Sequence, residues 1–345
     1  MNIRDRRALF AAADDTLSRD GAALRRLVVL YLAITTGLSL IASVLTLVLS
    51  DRIASTGGLS NMGLRSILST AQTVLPLVQA VVLTGLQLGH THAVLNARRG
   101  RFFSRDTLFG GFRRVIPMLC ASILQGFLYA ALGLLCLYLA TYIFLFLPAS
   151  HDFQALIMPL FESASVLNQQ IMLDEATMAA ATEAVMPALW IFAAVYIPVL
   201  LPTCYRYRMT MFRLIDHPRP RPLLAMRESR FMMHRNRFAL LKLDFNLWWY
   251  YLLQVLVLLV GYGDSFLALL GVTLPWSAEV SYILFLVLSL ALQAALLYVT
   301  MNRVSLIYAA AYECLLSDFE DMKAKLRANM NIPAEAPKNP WQDQY

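Results

Sequence analysis

Charge is what this sequence has least of. Asp, Glu, Lys and Arg make up 15% of its 345 residues, where an ordinary soluble domain carries about a quarter. Hydrophobic types reach 59% and the mean hydropathy is +0.58. That balance argues against a soluble enzyme of one or two domains. It also excludes disorder for most of the chain, since disorder goes with low hydrophobicity. Cysteine is nearly absent as well. Cys120, Cys136 and Cys204 lie in or beside apolar runs and Cys314 just past the last one. None falls in a polar external loop and no metal-ligand spacing appears, so reduced thiols, no disulfide and no metal are expected. No nucleotide-binding loop, Gly-x-Ser-x-Gly elbow or zinc-protease motif is present, and no cofactor is expected.

Long unbroken apolar runs are what remains. They suit helices rather than the short alternating segments of a membrane β-barrel. Six spans are read: Leu27–Leu49, Ile67–Leu95, Val115–Leu147, Met186–Cys204, Phe245–Leu270 and Val280–Ala311. Each reaches the roughly 20 residues that cross a hydrocarbon core. The expected fold is therefore all-α, a polytopic helical membrane protein with interfacial amphipathic helices. No cleavable signal is visible, because the first run follows a tail holding Asp14, Asp15 and Asp20.

The basic residues set the orientation. Of 29 Lys and Arg, 27 fall in alternate polar segments: the tail 1–26, the arm 98–114, the arm 205–243 and the C-terminal part from Arg303 on. Those segments should be cytoplasmic, with both termini inside the cell membrane. The net charge of +7 is thereby read as membrane orientation rather than nucleic-acid binding. The domain plan follows: a cytoplasmic amphipathic segment 1–26, a six-span membrane domain 27–312 and a cytoplasmic tail 313–345. The segment 1–26 carries a weak apolar stripe of Ala8, Leu9, Ala12, Ala13, Leu17 and Leu24, which places it along the inner surface. The external segment 151–185 is acidic and helical in spacing, a cover on the outer face, and Asp174 could cap a helix leading into the fourth span.

Polar residues within the runs are the natural site candidates. Gln79, Gln87, Gln125, Gln254 and Gln293 could line a cytoplasm-facing vestibule, or could simply bond between helices. No Asp, Glu or Lys lies deep in a span, which argues against a carrier built on a buried charge. Gly85 and Gly89 form a small-xxx-small motif that admits another backbone, from a second copy or from this chain. Pro187, Pro198 and Pro202 should bend the fourth span. His90 and His92 are two apart on a helix and point away from each other, so they make a poor metal pair. Val260-Gly261-Tyr262-Gly263-Asp264 resembles a potassium-filter sequence but lacks its threonine, and reads as a glycine-rich exit from a span. For chemistry, Asp216, His217 and Glu228 are the cytoplasmic candidates; Pro218, Pro220 and Pro222 beside them suggest a rigid turn.

The second arm carries most of the specific signal. Arg227, Arg230, Arg235 and Arg237 are placed to meet lipid phosphates while its Met, Phe and Leu positions sink into the inner leaflet. Lys242 and Asp244 would mark the water boundary, with Trp248, Trp249, Tyr250 and Tyr251 as an aromatic belt inside it.

A stretch of about 60 residues reads Ile197-Pro198, Tyr205, Tyr207, Asp216-His217-Pro218, Ala225, Ser229, Met232-Met233, Arg235-Asn236 and Leu241-Lys242-Leu243-Asp244. It resembles the bacterial multi-pass membrane family catalogued as domain of unknown function 975. The motif positions carried over are Asp216, Pro218, Ser229, Met233, Asn236, Lys242 and Asp244. The resemblance implies an integral bacterial membrane protein and transfers no catalytic residue. The expected function is a non-enzymatic scaffold or envelope-homeostasis factor. Its expected partners are membrane lipids, anionic lipid at the inner leaflet, and a second copy or another membrane protein. The alternatives are a permease with a Gln-lined vestibule and a lipid-modifying enzyme.

Overall fold

The computed structural model describes residues 3–55, 62–147, 150–151, 175–217, 221–263, 267 and 278–329. All regular structure among them is helical. In chain order the elements are α1 (Arg6–Ser55), α2 (Met62–Arg98), α3 (Arg105–Gly110), a 3-10 turn (Gly111–Arg114), α4 (Val115–Phe144), α5 (Glu175–Tyr207), α6 (Thr210–Asp216), α7 (Pro222–Met232), α8 (Arg237–Asn246), α9 (Trp248–Gly261) and α10 (Ala278–Asn329). Two compact units result. One joins Met1–Ala121 to Arg208–Tyr345, and the other is Ser122–Tyr207.

The first unit is built on three rods, α1 with α2 and α10 along it. Asp5 starts α1 by accepting the Ala8 amide on its carboxylate at 3.2 Å. Hydroxyls inside the rods fold back onto their own helix. Thr16, Thr46 and Thr84 each donate to the carbonyl four residues earlier, at 2.9, 2.8 and 2.7 Å. This leaves no hydroxyl unsatisfied on those turns in an apolar medium. At 1.5 Å per residue the 50 residues of α1 span about 75 Å, against a hydrocarbon core of about 30 Å. The N-terminal segment is thus the continuation of the first span. Its stripe is spent on protein: Leu9, Ala13, Thr16, Leu24, Leu27 and Val28 are buried on the helix that packs against α2 and α10.

The core runs between the rods and the first arm. Leu27, Leu86, Ala93 and Leu108 form one cluster, with Tyr31, Ile34, Val82 and Phe103 packed on it. On α10, Leu306, Ile307, Ala309, Ala310, Ala311 and Tyr312 are all buried. The opposite faces are the reverse. Val29, Ile41, Val44 and Val48 of α1, and Leu77 and Val78 of α2, are exposed. Bare apolar faces of this extent are incompatible with water and ordinary in lipid.

Among the described residues five helices are long and apolar enough to cross a membrane, and six if one bent pair counts as a single span. That pair corrects the fifth span. Phe245–Leu270 is not one rod: α8 and α9 meet at Leu247 with a 63° bend. The 14 residues of α9 rise about 21 Å, short of a crossing. The break occurs where Leu247 is fully buried and turns the chain out of helical geometry (φ −97°, ψ 13°). The last helix departs the other way. No Gly or Pro lies between Ala311 and Asn329, and α10 runs on to Asn329.

In the second unit, α5 runs unbroken from Glu175 through Pro187, Pro198 and Pro202 to Tyr207. Tyr196 lies 3.6 Å from where a Cβ on Gly133 would stand, and its ring stacks on Phe192 at 5.1 Å. Residues 152–174, which include Asp174 and most of the expected outer cover, lie outside the described residues, as do Pro218 and the tail after Asn329.

Candidate functional site

The chemistry-bearing side chains of the first unit gather where α2 ends, α10 runs past its apolar half, and α6 and α7 pack. Arg99 is the centre. Its guanidinium makes a fork to Asp216, Nη1 to Oδ1 at 2.5 Å and Nη2 to Oδ2 at 3.1 Å, while its Nε reaches Glu313 at 3.3 Å. Arg98 bonds the other oxygen of Glu313 at 3.2 Å and the Ala12 carbonyl of α1 at 3.2 Å. Tyr312 donates to Asp216 at 3.0 Å, and its ring stacks on Phe212 at 5.3 Å. Beside this, Arg213, itself buried, pairs with Glu228 of α7, and His217 Nε2 stands 3.3 Å from the same carboxylate.

All are partly dry ion pairs, and Arg99 with Asp216 is bidentate, the geometry in which arginine is strongest. The Asp216 hydrogen bond holds Arg99 more firmly protonated than usual. Burial pushes the Glu228 carboxyl up, but the Arg213 bond and the nearby His217 outweigh it and hold the group below the usual carboxylate range. Both Asp216 and Glu228 are thereby fixed as counter-charges, and neither is poised as a base.

A second network lies at the α8–α9 bend. Tyr308 of α10 donates to Asp244, and Arg208 donates to Tyr308 Oη at 2.9 Å and to Tyr251 Oη at 3.2 Å. Asp244 is turned inward onto these partners, with its side chain 11% exposed. Of the aromatic belt, Trp248 is exposed while Tyr250 and Tyr251 are edge-on to each other at 5.4 Å. A third contact joins His90 Nε2 to Asn302 Oδ1 at 3.2 Å, both buried, with the Tyr31 ring 5.9 Å away.

The expected glutamines do not converge. Gln79 donates to Ser39 at 3.1 Å and Gln254 to Tyr250 at 3.2 Å. Gln87 is exposed, and Gln125 lies in the other unit. Gln254 and Gln293 share a groove of about 730 Å³ along α9 and α10. The glycine motif faces inward: a Cβ on Gly89 would stand 1.7 Å from the Leu108 carbonyl oxygen, and one on Gly85 2.7 Å from the Phe112 ring. It seats α3 and the 3-10 turn against α2. Gly261 and Gly263 lie where α9 ends, with the Phe285 ring against Gly263.

The second arm divides its apolar residues. Met226, Met232, Met233, Leu240 and Leu243 are buried in protein and do not sink into a leaflet, whereas Leu223, Phe231 and Phe238 are exposed. Arg227, Arg230 and Arg235 are exposed and Arg237 is half-buried. Of the motif positions, Ser229 and Met233 are buried, Asn236 donates to the Met232 carbonyl at 3.3 Å, and Lys242 is exposed. Sequence reasoning did not single out Arg4, Arg6 or the residues around Arg114. Arg4, Arg6, Arg235, Phe238 and Lys242 line a pocket of about 410 Å³ with no acidic group in its lining. All four cysteines are free. Among the described residues no group of three or more His, Cys, Asp or Glu could hold a metal.

With all regular structure among its described residues helical, and five or six of those helices fit to span a membrane, the chain has the character of a helical membrane protein. Comparison with protein-family models, with curated proteins and with solved structures gave no match.

Proposed function

We propose that the chain is a bacterial inner-membrane protein of the family resembled above, crossing the cell membrane six times with α8–α9 as a broken fifth span and both termini cytoplasmic. Its work on this reading is non-enzymatic: a scaffold or envelope-homeostasis factor seated on anionic lipid of the inner leaflet, able to bring a second copy or another membrane protein to that surface. The observation that carries it is the acid-free pocket of Arg4, Arg6, Arg235 and Lys242, edged by Phe238, which is 78% exposed. A basic rim beside a bare aromatic suits a phosphodiester at headgroup depth, with the ring among acyl chains. The pairing of Asp216 and Glu228 with arginines, with His217 beside Glu228, speaks for structure over catalysis there.

The test is lipid retention. The full chain is placed in nanodiscs of phosphatidylcholine with or without phosphatidylglycerol, and the lipid carried through native mass spectrometry is counted. Preferential retention of phosphatidylglycerol is expected. At about 1 kcal/mol for each basic residue near an anionic surface, Arg235→Gln with Lys242→Gln should weaken it about thirtyfold. Equal retention of the two lipids would sink the reading. The permease alternative rests on the groove shared by Gln254 and Gln293, and it requires water there, which thiol labelling at Gln293 detects.

A further inference from the structure

We propose a built binding site for a phosphate oxyanion in a separate cavity, where the end of α2 meets the residues leading into α4. The cavity is about 240 Å³ and its polar lining is His92, Asn96, Arg99, Arg101, Arg114 and Asp216. At about 10–15 Å³ of probe-centre volume for one water, that is room for many waters, enough for a phosphate group with part of its ester. His92 and Asn96 are one helical turn apart and share a face of α2.

Two independent pieces of local structure aim arginines into this space. The first is the end of α2. Gly100 adopts φ +65°, its amide bonds the Ala97 carbonyl at 3.1 Å, and the Arg101 amide bonds the Asn96 carbonyl at 2.8 Å. This is the paired closure of a helix by a left-handed glycine, and it returns Arg101 to the cavity instead of letting the chain run on. The second is the 3-10 turn, whose last residue is Arg114. The turn is seated on α2 by Gly111, where a Cβ would lie 2.2 Å from the Gly85 carbonyl oxygen.

The charges in the cavity do not balance. Three guanidiniums face one carboxylate, and that carboxylate is already engaged by the Arg99 fork and the Tyr312 hydroxyl. Arg114 is half-buried, and the carboxylate whose charge it feels is Asp216, whose oxygens the Arg99 fork and the Tyr312 hydroxyl already occupy. Partial desolvation of a guanidinium is costly without an anion. Two arginines left to donate, with a histidine and an amide beside them, match the several oxygens of a phosphate better than the two of a carboxylate. A divalent cation is repelled by the same excess. On the proposed orientation, Arg114 immediately precedes the apolar run that starts at Val115, so a lipid headgroup phosphate and a free phosphate both reach the cavity.

The experiment separates these sources. The full chain in neutral detergent is titrated with inorganic phosphate against chloride at equal ionic strength, and thermal unfolding is followed; the same is done in nanodiscs with and without phosphatidylglycerol. Arg114→Gln and Arg101→Gln are compared with the parent chain and with Lys242→Gln. Loss of a charged hydrogen-bond partner weakens binding about tenfold or more. A phosphate-dependent rise in melting temperature, lost in both cavity variants and kept in Lys242→Gln, supports the site with free phosphate as ligand. A rise seen only with phosphatidylglycerol, with the same variant pattern, supports it with the lipid headgroup as ligand. No rise with either probe, or a rise the cavity variants leave intact, overturns it. Arg101 is exposed and its hydrogen bond to the end of α2 is made by its backbone amide, which Arg101→Gln keeps, so Arg101→Gln decides the matter if Arg114→Gln fails to fold.

Discussion

A single methyl group on Gly89 should undock the first arm from α2. The Cβ of Gly89→Ala would stand 1.7 Å from the carbonyl oxygen of Leu108, 2.5 Å from its carbon and 2.7 Å from its Cα. A carbon–oxygen contact relaxes at about 3.3–3.6 Å, so the arm must retreat by between one and two ångströms. Backbone on both sides makes that retreat rigid. A radial gap of about 0.5–1 Å already forfeits a quarter to a half of a contact's dispersion energy, and Leu108 is 0% exposed at this junction. Burying a leucine is worth about 1.5–3 kcal/mol, and with the strain of overpacking the docking free energy should fall by about 2–4 kcal/mol. Amide hydrogen exchange across residues 101–114 reads this directly, because protection should drop about thirtyfold to a thousandfold while the rods keep theirs. Gly37→Ala is the control. Nothing lies within 4 Å of its Cβ, and on α1 the change should be neutral or stabilising by up to about 1 kcal/mol. Unaltered protection of the arm in Gly89→Ala, with melting equal to the Gly37→Ala control, would refute the close packing of α3 on α2.

Three further outcomes are expected. Glu228 is held below the usual carboxylate range by Arg213 and His217 against the opposing effect of burial; its contribution is therefore present above the ordinary glutamate value of about 4.3 and lost as pH falls through the lower folded value. Melting temperature followed into acid should show a limb that Glu228→Gln flattens, and an unchanged limb would remove Glu228 from the account. Asp216→Asn leaves Arg99 without its fork and should cost about 3–5 kcal/mol, most of it recovered when Arg99→Leu is combined with Asp216→Leu; a double-mutant cycle on thermal unfolding shows whether the two couple. In a chain freed of native cysteines, single cysteines at Gln79, Gln125 and Gln293 should resist a charged, membrane-impermeant thiol reagent while a site in the basic arm is labelled. Rapid labelling at all three would instead mean a water-filled path and favour transport.

The rods were legible because their signal is composition summed over 20 or more residues, which no tertiary detail can reverse. The limits of single elements were another matter. Asn246-Leu247-Trp248 holds no proline or glycine, so nothing local marks the 63° bend. It sits where Asp244 is pinned by Tyr308 and Arg208, partners 64 and 36 positions away that a local pattern cannot see. The same blindness governs amphipathic faces. Leu9, Ala13 and Leu24 form a stripe of the right period, and so do the methionines of the second arm. Period tells which face is buried, not whether lipid or protein buries it. Here α10 is long enough to reach both, and protein takes the stripe.

The polar end follows a logic that could have been read one step further. Each arginine of the network was visible, but a region selected for positive charge explains its arginines too easily to single any out. The acids are the informative residues there. Asp216, Glu228, Asp244 and Glu313 stand in segments that membrane orientation fills with base, and each turns out to have an arginine partner. An acid kept where charge selection opposes it is a residue with a fixed counter-ion. By the same reasoning, the arginines that matter for ligands are those left after the acids are spent. Asp216 takes Arg99, Glu313 takes Arg98 and Arg99 together, and Glu228 takes Arg213. What lies over in the small cavity is Arg101 and Arg114, two cations on one side of a helix end, and that surplus, rather than the density of positive charge along the chain, is what selects a phosphate.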